Sequence, residues 1–347
     1  MTLVMTLRTR DESDVVDSWL EFHLNAGCDV VIATDNLSRD GTTEVLEEYA
    51  RSGHVHLIRE PGEDLREAEW VTRMARLAAT QYGADWVINS DADEFWWPRG
   101  ASLSDVLAAV PPRYGTVGAF LRVFCPRPGE GQFADRMTVR FSAVAPINDP
   151  ASLYKPIRKI IHRGDPQVSV ARGNHALLGS PFAPLRGWFP IECFHFPLRS
   201  AAQCAHKAQV FGEAFEKHVP RSPTAYHASM FSALRRGRIG EYYDALVVSD
   251  DELALGVAEG RLVVDTRLRE ALRTIAAGEK PSFPLPTLVE DAEYAVEAAV
   301  LGEADVVRLQ RRLDELEGRL QTVEQRLPRR VYRKLQRTAR RVLVRAG

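Results

Sequence analysis

Short apolar, β-branched runs alternate with longer stretches of helical periodicity from the start of the chain. Residues 2–7 read as a short buried strand, and Val15, Val16, Trp19, Leu20 and Leu24 share one helical face that Gly27 closes. A second strand is predicted over 29–34, a helix over 42–53 ended by Gly53, a third strand over 54–60, a helix over 67–83 ended by Gly83, and a fourth strand over 85–91. This alternation predicts a Rossmann-like α/β fold, a largely parallel sheet with helices on both faces. Ligands meet such folds outside the carboxyl ends of the strands. Asp35 and Asp91 both fall at that edge.

The alternation then weakens. After a helix over 102–110, the segments 116–124, 136–144, 158–164 and 168–175 look like strands without intervening helices, which predicts a mixed extension of the sheet. A helix is predicted over 200–218, and 221–278 reads as mostly helical before the proline-rich break at 280–287. Beyond it Val306, Leu309, Leu313, Leu316, Leu320, Val323 and Leu327 alternate spacings of three and four. That seam predicts a coiled coil joining two copies as a homodimer; the alternative is one amphipathic helix docked on the body. The expected organisation is a catalytic domain over 1–220, a helical extension over 221–285, a coiled-coil helix over 286–327 and a basic tail over 328–347.

Charge sharpens this division. The net charge of −2 splits into eight Arg and Lys with no acid over 329–347, and 37 basic against 47 acidic residues before them. Any anionic surface is therefore expected at the tail. On a helix Val331, Leu335, Ala339, Val342 and Leu343 gather on one side, the composition of an interfacial helix on anionic lipid. Nucleic acid is not an expected partner. No 18-residue apolar run and no secretion signal stands out, so the expected location is cytoplasmic, peripheral at the inner face of the membrane. Four scattered cysteines without a CxxC pair fit reduced, buried thiols and exclude a thiolate metal centre.

Three stretches carry chemistry. Residues 89–98, NSDADEFWWP, set Asp91, Asp93 and Glu94 behind an apolar strand. Unpaired burial of such acids is costly, so a divalent metal, a ring of Arg and Lys, or shared protons must neutralise them. Along an extended chain Asp91 and Asp93 point the same way and suit Mg²⁺ or Mn²⁺, with Trp96 and Trp97 walling a partly dry site. Residues 35–44, DNLSRDGTTE, place Asp35 where it can accept from a nucleoside; plain capping by Asp40 or Thr42 around Gly41 is the simpler reading. In 191–200, IECFHFPLRS, His195 is a third ligand candidate and Arg199 a phosphate partner, with Lys207 in the next helix.

Taken in order, Arg10-Asp11-Glu12, Trp19, His23, DNLSRDGT, DADEF, Lys155-Pro156, GNH at 173–175 and HFPLRS at 195–200 resemble the bacterial glycosyltransferase family 2 group closest to family 92, over residues 2 to about 217. The resemblance implies an A-type glycosyltransferase fold and inverting transfer of a sugar from a uridine-linked nucleotide sugar to an acceptor hydroxyl, in cell-envelope or secondary-metabolite glycan synthesis. It implies Asp91 and Asp93 as the DxD motif for Mn²⁺ or Mg²⁺, His195 as the metal-binding histidine and Asp35 as the nucleoside contact. Arg8, Arg10, Glu12, Asn36, Asp40, Asp91, Lys155, Arg199 and Lys207 are the remaining expected donor contacts. Glu192 is the first candidate for the base because it shares the segment of His195, with His175 and Glu94 behind it. The absence of QxxRW argues against synthesis of a long polysaccharide. Two other classes stand beside this one: a membrane-bound coiled-coil scaffold with an inactive body, and a phosphatase of the haloacid dehalogenase type. The phosphatase motif normally follows the first strand, not the fourth.

Overall fold

The computed structural model describes residues 1–62, 66–142, 158–217, 225–299 and 316. The chain divides into two compact units, Met1–Leu288 and Val289–Gly347. Most of the expected coiled-coil seam, the basic tail and Lys155 lie outside the described residues. Among those described, no helix is long and apolar enough to cross a membrane.

The first unit opens with β1 (Leu3–Thr9), α1 (Val16–Asn25), β2 (Val30–Asp35), α2 (Thr42–Arg51), β3 (Val55–Arg59), α3 (Glu67–Gln81) and β4 (Trp86–Asp91), as the alternation predicts. β5 (Glu94–Pro98), α4 (Leu103–Ala108), β6 (Thr116–Val123), α5 (Phe133–Arg136), β7 (Val139–Phe141), β8 (Arg158–Arg163) and β9 (Ile191–His195) follow. The unit continues with α6 (Ala201–Lys217), α7 (Ala225–Arg235), α8 (Ile239–Asp244), α9 (Asp250–Ala258), β10 (Leu262–Val264) and α10 (Arg267–Ala276).

Eight strands form one mixed α/β sheet in the order β3-β2-β1-β4-β8-β6-β9-β5. The first four are parallel. β8 is antiparallel to both β4 and β6, β9 is parallel to β6, and β5 is antiparallel to β9. A buried polar chain ties the parallel half to this extension. Thr6 Oγ1 donates to Asn89 Oδ1 at 2.8 Å, and Asn89 Nδ2 donates to His162 Nε2 at 3.0 Å. Each group is satisfied, so the polar seam fixes β8 against β4 without an orphaned donor. Gly164, just past β8, allows the close approach there: a Cβ would lie 1.9 Å from Ala84 O.

Four expectations need correction. Residues 91–93 are not one extended run, because β4 ends at Asp91 and the chain turns at Ala92 and Asp93 before β5 begins. Phe95, Trp96 and Trp97 are therefore core residues of an edge strand, buried with Trp19, Phe22 and Phe194, and do not wall a cleft. The segment 168–175 is no strand; Gly173 and Asn174 take positive φ in a short 3-10 turn. Within 221–278, β10 breaks the helices and pairs with β7; among the described residues of the strand expected over 136–144, only Val139–Phe141 form it, and 143–144 lie outside the described residues.

The edge strand β5 is sealed by α1. Trp19 Nε1 donates to Glu94 O at 2.7 Å, and His23 Nε2 accepts the Trp96 N–H at 3.0 Å. These are the outward-facing polar groups that an uncovered edge would offer to another chain.

Candidate active site

The parallel registers bring the functional side chains to one edge. β1 pairs Arg8 with Asp91 of β4 and Thr9 with Asp35 of β2, so the last residues of three strands meet. The turn at Ala92 and Asp93 then separates the acids. Asp91 meets Arg8, whose Nη2 donates to Oδ1 at 2.9 Å; Arg8 also lies 3.4 Å from Glu67. Asp93 accepts from Lys207 Nζ at 2.9 Å, and His195 Nε2 lies 3.5 Å from the same carboxylate oxygen. Glu94 is 1% exposed and holds Lys159 Nζ at 2.6 Å, with Lys159 also 3.8 Å from Asp91 and donating to Gly173 O at 2.8 Å.

Three carboxylates thus face three basic side chains, the ring of Arg and Lys that the sequence left open as one means of neutralisation. The electrostatics follow from this pairing. Burial opposes ionisation of Asp93, but Lys207 and His195 overcome it and hold the carboxyl well below its ordinary value. Asp91 is likewise lowered, against burial, by Arg8 and Lys159. Glu94 goes the other way: burial raises it, and Lys159 only partly offsets that beside Asp91.

Asp93, Glu94 and His195 bring three ligand atoms within 4.8 Å of one another. Two hard carboxylate oxygens and an imidazole suit Mn²⁺ or Mg²⁺, and the buried His195 Nδ1 has no protein partner. The residues fit a divalent cation, with one change from the expected set: Glu94 joins Asp93 and His195, while Asp91 is engaged by Arg8.

The other expected residues are placed differently. Glu192 lies on the opposite face of β9 from His195, because neighbouring strand residues point to opposite faces. Its carboxylate meets Arg122 Nε at 2.7 Å and Arg267 Nη1 at 2.7 Å, and the structure does not bring it to the cluster. Burial opposes its ionisation, yet the flanking arginines hold it far below the ordinary range. Arg199, 1% exposed, is not free for phosphate; it grips Asp14 at 2.8 Å and also Glu12, stapling the segment after β9 to the loop after β1. Asp35 accepts from Ser38 Oγ and from Thr43 Oγ1 at 2.6 Å. Asp40 accepts from Thr42 Oγ1 and from the Ser13 N–H, so both side chains hold the loop; the capping expected of Asp40 or Thr42 is not formed, because Gly41, at φ +103°, is the N-cap of α2 and no side chain caps it.

Asn36 Oδ1 accepts from Arg10 at 3.1 Å while its Nδ2 donates to Glu60 O and Gly62 O. The Nε of Arg10 is buried without a protein partner. His175 is exposed, with Nδ1 3.1 Å from Arg158 O. Although the residue reaches solvent, partial desolvation of the ring and then Lys159 lower its pKa, which favours the neutral imidazole.

Sequence reasoning missed Lys159. One signal was present: Lys159 and Ile161 are two apart on a strand, so the lysine shares the face of a core residue, where lysine rarely goes unpaired.

The model of glycosyltransferase family 92 matches residues 10–122, which begin just after β1 and carry β2 through all but the last residue of β6. No curated protein matches the chain. Among solved structures, S. aureus TarS 1–349 in complex with UDP-GlcNAc is 14% identical, with 80% of this chain and 93% of that chain covered at a TM-score of 0.33. Glucosyl-3-phosphoglycerate synthase from Mycobacterium tuberculosis, in complex with Mn²⁺, UDP and glucosyl-3-phosphoglycerate, is 20% identical over 35% of this chain and 44% of that one, at a TM-score of 0.26.

Proposed function

We infer that the chain transfers a sugar from a uridine-linked nucleotide donor to an acceptor hydroxyl, with inversion, at the carboxyl edge of β1 and β4. The observation that carries this reading is the gathering of Asp91, Asp93, Glu94 and His195 with Arg8, Lys159 and Lys207 beside the stretch that matches family 92. Asp93, Glu94 and His195 would hold a divalent cation, which supplies charge stabilisation to a diphosphate leaving group. Arg10 supports donor binding through its unpartnered Nε, and Asn36 fixes its guanidinium.

His175 is the base in this account. Its Nδ1–H donates to Arg158 O, which leaves Nε2 to take the acceptor proton. Glu192 is tied to two arginines, and Glu94 would help hold the cation.

The eight basic residues of 329–347 support contact with an anionic membrane surface, where a lipid-linked acceptor would be presented. One observation favours a second reading, an inert body serving as a scaffold: each acid of the cluster already has a basic partner. Thermal unfolding with a panel of nucleotide sugars and Mn²⁺ separates the two. A donor at about 100 times its dissociation constant adds ~2.7 kcal/mol of stability; no shift with any donor favours the scaffold.

A further inference from the structure

One carboxylate oxygen in the cluster serves two groups. Asp93 Oδ2 accepts from Lys207 Nζ at 2.9 Å and lies 3.5 Å from His195 Nε2. That carboxylate and that ring belong to the set fit for a divalent cation. An ammonium and a divalent cation against the same carboxylate repel strongly, and partial burial weakens the screening that would let both stay.

We propose that Lys207 is the resident counter-ion of this site, and that a divalent cation enters only by displacing the Lys207 ammonium from Asp93. The inference rests on the cation-dependent reading above. The other cations around the cluster do not fit the part. Arg8 is held between Asp91 and Glu67. Lys159 is 4% exposed, donates to Gly173 O and holds Glu94 from within the sheet. Arg199 is fixed to Glu12 and Asp14. Lys207 reaches in from α6 with its side chain 16% exposed, and besides Asp93 it donates to Pro197 O at 3.1 Å. It therefore has room to withdraw.

Displacement couples cation loading to anion binding. A diphosphate that gives the released ammonium a new partner tightens the cation, and the cation reciprocally tightens the diphosphate. Without an anionic ligand the lysine keeps Asp93 neutralised, as Arg8 and Lys159 do Asp91 and Glu94.

Calorimetric titration of the full chain with Mn²⁺ alone, without nucleotide, tests the proposal. Lys207→Met should bind Mn²⁺ at least about tenfold more tightly than wild type, and Lys207→Arg within about threefold of it. Equal or weaker affinity in Lys207→Met overturns the proposal. A second measurement needs no variant: in wild type, saturating Mn²⁺ should raise the rate of Lys207 acylation, followed by mass spectrometry, at least about threefold as the ammonium leaves Asp93. An unchanged rate overturns it equally. Both readouts concern cation binding alone, so absent sugar transfer with this pattern intact would count against the proposed function and not against the counter-ion.

Discussion

His23 Nε2 accepts the main-chain N–H of Trp96 at 3.0 Å while its Nδ1–H donates to Trp19 O at 2.8 Å. The two bonds require the neutral ring, and burial lowers its pKa to about 3. His162 is also lowered by burial, to about 4. In the unfolded chain both titrate near ~6.5, so below that pH the unfolded state takes up protons that the folded state refuses. Their contribution is complete above ~6.5 and is lost as the pH falls toward the folded values. Urea unfolding at pH 7 and pH 5 should show a loss on the order of 2 kcal/mol for His23 alone. His23→Gln should show a smaller loss between the same two pH values; an identical loss would clear His23 of the effect.

Glu192 provides a separate test of stability against catalysis. Glu192→Gln leaves Arg122 buried with one carboxylate partner fewer, and the expected cost is ~3–5 kcal/mol in denaturant unfolding. Specific activity of the folded fraction should stay at the wild-type level. Normal stability with lost turnover would restore Glu192 as the base.

For His175 the prediction is kinetic. His175→Gln should lower kcat by ~10²–10⁴ with little change in donor KM, because the ring acts on the acceptor proton alone. Unchanged kcat would remove it from the mechanism.

Much of this arrangement was legible, for identifiable reasons. β1 to β4 are β-branched runs separated by helices that glycines close, such as Gly27 at φ +105° after α1, so local pattern and tertiary structure agree. β5 was not legible, because all its residues are buried and its edge is sealed by Trp19 and His23; without alternation, EFWWP gives no strand period. Asp93 and His195 could be suggested as a pair from their types alone. The grouping of Glu94, and not Asp91, with Asp93 and His195 depends on a turn that the four letters DADE do not reveal. The lysine partners come from far along the chain, Lys207 at a separation of 114 residues from Asp93, and no local spacing encodes such a contact.

The tail prediction follows from charge. The full chain should sediment with anionic vesicles and not with neutral ones, and a chain ending at Leu327 should lose that binding, each Lys or Arg near the surface contributing ~1 kcal/mol. Equal pelleting of both chains would place the anchor elsewhere.

The central claim is cation-dependent use of a nucleotide sugar at Asp93, and release of nucleoside diphosphate from a donor panel tests it most directly. Wild type with Mn²⁺ should release diphosphate from at least one uridine-linked donor. Removal of Mn²⁺ by chelation should suppress that release, and Asp93→Asn should lower it by at least ~10². Release that persists undiminished in Asp93→Asn, or no release from any donor with Mn²⁺ present, would contradict the account.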